Sequence, residues 1–251
     1  QYDGKGERSF VNTIGAAGSY LPEDIPDECY EADILLAGGT ALVPKIHDGL
    51  DVILSKAKQS GCFTVVGTVY DFRNQKNNPD APWPLGGPDT YQYIDLLVTD
   101  AEEALRLTGT DNLSTAAQLF ISYGIKSLII THGAKDVLIW SGGERFAPCP
   151  LRFMPVSRYV DELLERYPEK RKDSTGCGDN FVGGVIASLA MQLAASNDAL
   201  PDMLEACSWG AASGGFTCMY HGGTYYESET GEKLKSILPI VEAYRKQAGL
   251  S

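Results

Sequence analysis

The chain has 251 residues, of which 43% are hydrophobic and 22% charged, so it is long enough to bury a sizeable core as one large domain or two small ones. Its formal net charge of −12 at pH 7 argues against a general binder of nucleic acids or acidic membranes, because such a surface repels phosphate groups. The same charge is compatible with a local nucleotide site, where backbone amides and a metal ion bind the phosphates.

The cysteines and histidines show no metal-binding pattern. The six cysteines are scattered without a C-x-x-C pair, which indicates free thiols in a reducing, cytoplasmic compartment. Cys62, Cys207 and Cys218 lie in apolar or small-residue settings and are predicted to be buried. The three histidines are far apart in the sequence, so a zinc site is not expected; they are His47, His132 and His221. No apolar run approaches the roughly 20 residues that span a bilayer.

Apolar runs alternate with amphipathic segments in the first third of the chain. Residues 32–37 form a short apolar run that predicts a buried strand. Residues 46–59 have apolar side chains at helical spacing and predict one helix. Residues 62–69 are rich in β-branched side chains and predict the next strand. Residues 71–90 are polar and rich in proline, and they predict a loop.

The alternation continues, which predicts βαβ units and a mostly parallel sheet. Ligands of such sheets bind at the carboxyl ends of the strands. The predicted elements are a strand over 94–98, helices over 100–107 and 115–123, a strand over 127–131, and a hairpin joining 137–140 to a segment near Phe146.

Residues 158–172 have a different pattern. Val160, Leu163, Leu164 and Tyr167 fall on one helical face, with charged residues elsewhere. This pattern predicts an amphipathic surface helix. A partner-binding helix is the alternative, and we favour the surface helix because such faces are usual on globular proteins.

The most specific motif is the stretch 173–179, in which Asp173 and Asp179 bracket a Gly-x-Gly turn. Asp179 is predicted to open an apolar helix, whose first amides lack partners and attract anions. A carboxylate at the same point can take a proton from a hydroxyl group, so the motif indicates phosphoryl transfer to an alcohol. Plain helix capping is the alternative interpretation.

Two glycines inside this predicted helix support a functional or packing constraint. Gly183 and Gly184 each cost about 1 kcal/mol relative to alanine in a helix interior. We therefore expect a close approach of another backbone at this point.

The stretch 173–179 resembles the C-terminal signature of the ribokinase-like (PfkB) family of sugar and nucleoside kinases, with Cys177 where alanine is more usual. The resemblance covers nearly the whole chain and implies a three-layer α/β fold with a mostly parallel central sheet. Three further segments are similar to family elements in the same order: residues 6–10 with Gly15 and Ala16 to a strand pair before the first crossover, residues 131–135 to a Thr-x-Gly nucleotide loop, and residues 211–223 to a small-residue helix and adenine-side loop.

The resemblance implies roles for individual residues of an ATP- and Mg²⁺-dependent kinase. Asp179 would be the general base for the acceptor hydroxyl, and the amides of Gly176, Cys177 and Gly178 would form an anion hole. Glu103 would organise Mg²⁺ through water. The nucleotide-binding residues would be Asp100 (where the family usually has asparagine), Thr131, Gly133, Gly178 and Ala211. A K⁺ ion would be bound at Asp173, Thr175, Thr217, Tyr220 and Gly222.

The chain departs from the family pattern in two places. Residues 157–172 are longer than the corresponding family segment and are interpreted as a helical insertion. The family's opening strand, its acceptor-binding Asp and most of its β lid have no counterpart before Gln1. Residues 1–251 are therefore expected to form one kinase domain that is N-terminally incomplete, with the β lid largely absent and with little or no kinase activity by itself.

The function predicted from the sequence is transfer of the γ-phosphate of ATP to a hydroxyl of a small-molecule sugar. The predicted partners include no nucleic acid and no membrane, and the full-length form is expected to be a homodimer. The alternatives are a nucleoside kinase of the same family and a non-catalytic nucleotide-binding remnant. An NAD-binding Rossmann domain is excluded by spacing, since the third glycine of its fingerprint would fall at Phe181.

Overall fold

A computed structural model of the protein describes residues 13–195 and 199–250. These residues contain a six-stranded sheet in which the strands are neighbours in chain order. The first four strands pair in parallel and the last two in antiparallel fashion. The predicted α/β class is confirmed. The strands are β1 (Ile34–Gly38), β2 (Phe63–Gly67), β3 (Leu96–Asp100), β4 (Ser127–His132), β5 (Lys135–Ser141) and β6 (Cys149–Met154).

The helices cover both faces of the sheet. In the described part of the chain they are α1 (Pro44–Asp48), α2 (Leu50–Gln59), α3 (Phe72–Asn77), α4 (Ala101–Thr108), α5 (Leu113–Ser122), α6 (Arg158–Arg166), α7 (Cys177–Ala195), α8 (Met203–Thr217) and α9 (Glu232–Ala248).

Successive strand residues point into different cores, because side chains alternate between the two faces of a strand. Val65 and Ile129 lie in a core that contains residues of α7, α8 and α9. Val66 and Leu128 lie in a second core, built with residues of α2, α4 and α5. The sheet is therefore the middle of three layers, as the resemblance implied.

The first elements of the chain differ from the sequence-based prediction. β1 is present, but it lies at an edge of the described sheet, and Leu36 is 45% exposed rather than buried. The single helix predicted over 46–59 is broken into α1 and α2 at Gly49, where a Cβ atom would lie 2.6 Å from Pro22 Cγ. A side chain at this position would clash with the preceding segment.

Three other local predictions need correction. Gly15 and Ala16 lie in a 3₁₀ helix (Gly15–Ser19) rather than in a strand pair, and residues 6–10 lie outside the described residues. The loop predicted over 71–90 contains α3, which Asp71 caps by accepting a hydrogen bond from the Asn74 amide at 2.9 Å. The hairpin partner of β5 is β6, which begins after Phe146, while Phe146 itself is buried in the intervening loop.

The amphipathic segment near residue 160 uses its apolar face inside the molecule. Val160 and Leu164 of α6 are buried in a cluster with Trp209 of α8 and Ile237 of α9. The apolar face of α6 therefore packs on α8 and α9, and its charged face remains at the surface.

Helices α7 and α8 approach each other closely at one glycine. A Cβ atom on Gly184 would lie 2.4 Å from the Trp209 carbonyl oxygen, a distance that real Cβ atoms essentially never show. A Cβ atom on Gly183 would meet no described atom within 4 Å. The predicted close backbone approach is thus confirmed at Gly184, and no such contact accounts for Gly183.

These two glycines provide a matched pair of substitutions. We expect Gly184→Ala to lower the free energy of unfolding by about 1–3 kcal/mol, because the added methyl group forces α7 and α8 apart. Gly183→Ala should raise it by up to about 1 kcal/mol, because alanine is the better helix former. Urea unfolding followed by circular dichroism measures both values, and equal effects of the two substitutions would contradict this packing.

Candidate active site

The carboxyl ends of the parallel strands bring together polar residues that are distant in the sequence. Gly38 is paired with Gly67, and Asp100 is paired with Thr131. The segments that follow these strands therefore leave the sheet on one side, where the parallel strands end. We call this side the carboxyl edge of the sheet. This edge is where ligands bind in open parallel sheets, and it contains the predicted residues Asp100 and Thr131.

The first turn of α7 lies beside the same edge. The Cγ2 atom of Val182 is 3.9 Å from the position that a Cβ atom on Gly67 would occupy. Asp179 lies one turn before Val182, and its residue is exposed. The helix begins at Cys177 rather than at Asp179 as predicted, so Asp179 is an acidic residue within the first turn, where the positive end of the helix dipole stabilises it.

The loop before α7 has room for an anion. Gly178 has no described atom within 4 Å of the position of a Cβ atom. Its amide and that of Asp179 fall in the first turn, for which a helix supplies no acceptor. The Cys177 amide donates a hydrogen bond to the Ser174 carbonyl at 3.2 Å. Gly178 and Asp179 are therefore better placed than Cys177 to donate to a ligand.

Gly176 has a different reason to be glycine. Its φ is +77°, and a Cβ atom would lie 2.5 Å from Gly223 Cα. The backbone before α7 is thus in direct contact with the loop after α8.

Asn180 was not predicted as a site residue, although it connects three parts of the site. Its Nδ2 donates to the carbonyl oxygens of Gly176 and Gly223, both at 2.8 Å. Its Oδ1 accepts from Lys233 Nζ of α9 at 2.6 Å. A polar residue directly after Asp179, before the apolar run that begins at Phe181, was the signal available in the sequence.

The residues predicted to bind K⁺ lie on two adjoining segments. The Lys172 amide donates to the Cys218 carbonyl at 2.8 Å, which joins these segments. Thr175 donates to Asp173 Oδ1 from its amide at 2.9 Å and from its hydroxyl at 2.8 Å. On the other segment the Thr217 and Tyr220 hydroxyl oxygens are 3.1 Å apart. Gly222 follows with a φ of +81°.

Two thiols lie at the junction of these segments. Cys177 Sγ and Cys218 Sγ are 3.4 Å apart. Cys218 is half-buried rather than buried as predicted, because it ends α8 at the surface of the site. Cys62 and Cys207 are buried, as the sequence indicated.

Glu103 points into the molecule from the first turn of α4. Its amide donates to Asp100 Oδ1 at 2.8 Å, and its carboxylate accepts a hydrogen bond from the Thr68 hydroxyl. Glu103 is buried, and this burial, together with the nearby charge of Asp100, raises the pKa of the Glu103 carboxyl to about 7. A buried acid between the ends of β2 and β3 is therefore protonated more readily than an exposed one.

The remaining predicted nucleotide residues lie on β4, on the turn after it, and on α8. Thr131 donates from its hydroxyl to the Thr99 carbonyl at 3.4 Å. Gly133 has a φ of +58° and no described atom within 4 Å of a Cβ position, so the turn is open above it. Ala211 is partly buried and packs against the core that α7 and α8 share with the sheet.

Asp179 borders an open cleft of about 540 Å³ between the start of α7, α8 and the start of α9. This volume falls within the range of small-molecule sites. Residues lining the cleft include Asp179, Asn180, Gly183, Trp209, Glu227 and Lys233.

The sequence matches the pfkB family carbohydrate kinase profile over residues 1–230. This match covers most of the chain, so the protein belongs to the PfkB family of kinases.

Similar proteins differ in their acceptors. The chain is 25% identical over 223 residues to the ribokinase of Staphylococcus aureus, which covers 84% of this chain and 60% of that protein. It is 32% identical over 94 residues to the cytidine kinase of Thermococcus kodakarensis, which covers 38% of this chain and 29% of that protein. The matched part of this chain therefore spans about three fifths of the length of that ribokinase and 29% of the length of that cytidine kinase.

A solved structure supports the fold. The Arabidopsis thaliana ribokinase complexed with ribose and ATP superposes with a TM-score of 0.63 at 18% identity, covering 93% of this chain and 65% of that one. Across residues 13–195 and 199–250, none of the helices has the length and apolar character needed to cross a membrane.

The buried Glu103 predicts a pH-dependent stability. Below pH 4.5, its ordinary pKa, Glu103 is protonated in both the folded and the unfolded chain; between pH 4.5 and about 7 only the folded state retains the proton. The stabilisation from this group therefore declines as pH rises above 4.5 and is fully lost once the pH has passed about 7, by about 3 kcal/mol in total relative to Glu103→Gln. Urea unfolding at several pH values in the presence of EDTA measures this difference. Glu102, the exposed neighbour on α4, provides the control, since Glu102→Gln should follow the wild-type pH profile. If Glu103→Gln also followed the wild-type profile, the raised pKa of Glu103 would be contradicted.

Proposed function

We propose that the protein transfers the γ-phosphate of ATP to a hydroxyl group of a sugar, with Asp179 as the general base. The observation that carries this proposal is the first turn of α7, where an exposed carboxylate and amides without helical acceptors lie together beside the carboxyl edge of the sheet. Phosphoryl transfer needs both groups at one point, since the transferred group is anionic and the acceptor hydroxyl must lose a proton.

The residues present fit a nucleotide and its metal ion. The open space at Gly178 and at Gly133 would admit phosphate groups close to the backbone. Thr131 and Ala211 would contact the rest of the nucleotide, and Asp100 would lie near its phosphates. When bound, Mg²⁺ supplies positive charge that neutralises the phosphate oxygens. Glu103 would hold the waters around that ion through its carboxylate.

The K⁺ site is proposed for the two adjoining segments described above. Backbone and hydroxyl oxygens are suitable ligands for a monovalent cation, and both segments present them. The proposed ligands are Asp173, Thr175, Thr217, Tyr220 and Gly222.

The chain's own groups would act on the acceptor hydroxyl and on the transferred phosphoryl group. Asp179 accepts the proton of the acceptor hydroxyl as that oxygen attacks the γ-phosphorus of ATP, and the bond from this phosphorus to the β-phosphate oxygen breaks to release ADP. The amides of Gly178 and Asp179, with that of Gly176 nearby, donate hydrogen bonds to the anionic oxygens of the transferred group. Asn180 keeps this loop against Gly223, so the amides need no rearrangement during the reaction.

A sugar is the proposed acceptor because the ribokinase similarity extends over 84% of the chain. A nucleoside is the second candidate, because a segment of 94 residues is 32% identical to a cytidine kinase. A coupled ATPase assay of the intact gene product with ribose and with cytidine separates the two. Turnover with ribose supports the sugar proposal, turnover with cytidine alone supports the second candidate, and ATP binding without turnover on a panel of sugars and nucleosides would favour a non-catalytic nucleotide-binding protein.

The role of Asp179 gives a sharp test. We expect Asp179→Asn in the intact protein to reduce kcat by at least about 100-fold, since the amide cannot accept the proton, while ATP affinity changes little. Steady-state kinetics and calorimetric ATP titration measure the two quantities. Asp161→Asn, which neutralises an exposed acid on α6, should leave both unchanged. An Asp179→Asn enzyme with wild-type kcat would rule out the proposed base.

A further inference from the structure

Cys177 and Cys218 form a pair of thiols that no role in phosphoryl transfer explains. Their sulfur atoms are 3.4 Å apart, although the residues are separated by 41 positions in the sequence. Both residues are partly exposed to solvent. A disulfide requires an S–S distance near 2.0 Å, so a shift of about 1.4 Å would bring the sulfurs into bonding range.

The surrounding contacts maintain this proximity. The Lys172 amide donates to the carbonyl of Cys218 itself, and Gly176, next to Cys177, touches Gly223. Asn180 bridges the same two segments through its hydrogen bonds to Gly176 and Gly223. The thiols are therefore adjacent because the backbone on both sides is held together, and not only because of the side-chain rotamers.

The position of the pair connects it to residues 174–179, the turn and helix start that would bind the phosphates, which we call the anion loop. Cys177 directly precedes Gly178, where a Cβ atom would meet no described atom within 4 Å. Cys218 ends α8, which contributes Ala211 and Thr217. A covalent bond between the sulfurs would link the anion loop to the end of α8.

We propose that Cys177 and Cys218 form a reversible disulfide under oxidising conditions, and that this bond weakens nucleotide binding by displacing the anion loop. The effect on the nucleotide rests on the proposed kinase function, whereas the cross-link itself does not. Closing the bond pulls the Cys177 side chain toward α8 and strains the turn that its amide makes with the Ser174 carbonyl.

The oxidant in this step is a low-molecular-weight disulfide. One cysteine sulfur, having lost its proton, attacks the small disulfide, forms a mixed disulfide and releases one small thiol. The second cysteine then attacks the protein sulfur of the mixed disulfide and releases the other small thiol. Two protein thiols are oxidised to one disulfide while one small disulfide is reduced to two thiols, so atoms and electrons balance.

The experiment treats the wild-type protein with oxidised glutathione and follows both the covalent change and the nucleotide affinity. The expected result is a loss of about 2 Da in intact mass, a peptide joining Cys177 to Cys218, and about tenfold or greater weakening of ATP binding that dithiothreitol reverses. Cys218→Ser should bind ATP like the reduced wild type and should form no internal cross-link with the oxidant, since glutathione retained on Cys177 would appear as a gain in mass rather than a loss of about 2 Da. Cys29→Ser, which removes an exposed thiol and keeps the pair, should respond like the wild type.

The outcomes separate the cross-link from the proposed function. Absence of the Cys177–Cys218 peptide from the oxidised wild-type protein would overturn the proposal without any need for a variant. A complete cross-link with unchanged ATP affinity would overturn the regulatory effect. If the reduced wild-type protein does not bind ATP, the kinase proposal and the regulatory effect both fail, and the mass measurement still decides whether the cross-link forms.

Discussion

The geometry of the site depends on one backbone contact, the approach of Gly176 to Gly223. Only glycine permits it, because a Cβ atom on Gly176 would lie 2.5 Å from Gly223 Cα. The contact places the loop before α7 against the loop after α8, and Asn180 extends it with two hydrogen bonds of 2.8 Å. The orientation of the first amides of α7, the position of Asp179 and the proximity of the two thiols all follow from it.

The sequence predicted the elements whose signal is local. The β-branched run over 62–69 indicated β2 correctly, and the helix predicted over 100–107 corresponds to α4, because strand and helix preferences act within a few residues. It also predicted, from the cost of glycine in a helix, that a backbone approaches α7, and Gly184 makes that approach.

The errors concern contacts between distant segments, which local patterns do not encode. The clash that a side chain at position 49 would make involves Pro22, 27 positions earlier, and the exposure of Leu36 arises from the position of β1 at an edge of the described sheet. Asn180 was overlooked for the same reason, since its partners Gly223 and Lys233 are 43 and 53 positions away. The inward orientation of Glu103 depends on Thr68, 35 positions earlier.

The junction of Gly176 with Gly223 also bears on how the molecule opens. It joins segments more than 40 positions apart through contacts between loops, whereas the strands behind it are joined by backbone ladders inside the sheet. Loop contacts near the surface open with a lower free energy than the strands of a buried sheet. Amide hydrogens around residues 174–180 and 218–223 should therefore exchange with solvent through a local opening, while those of β3 and β4 exchange only when the whole domain unfolds. The loop that would bind the phosphates can thus separate from α8 without any loss of the fold.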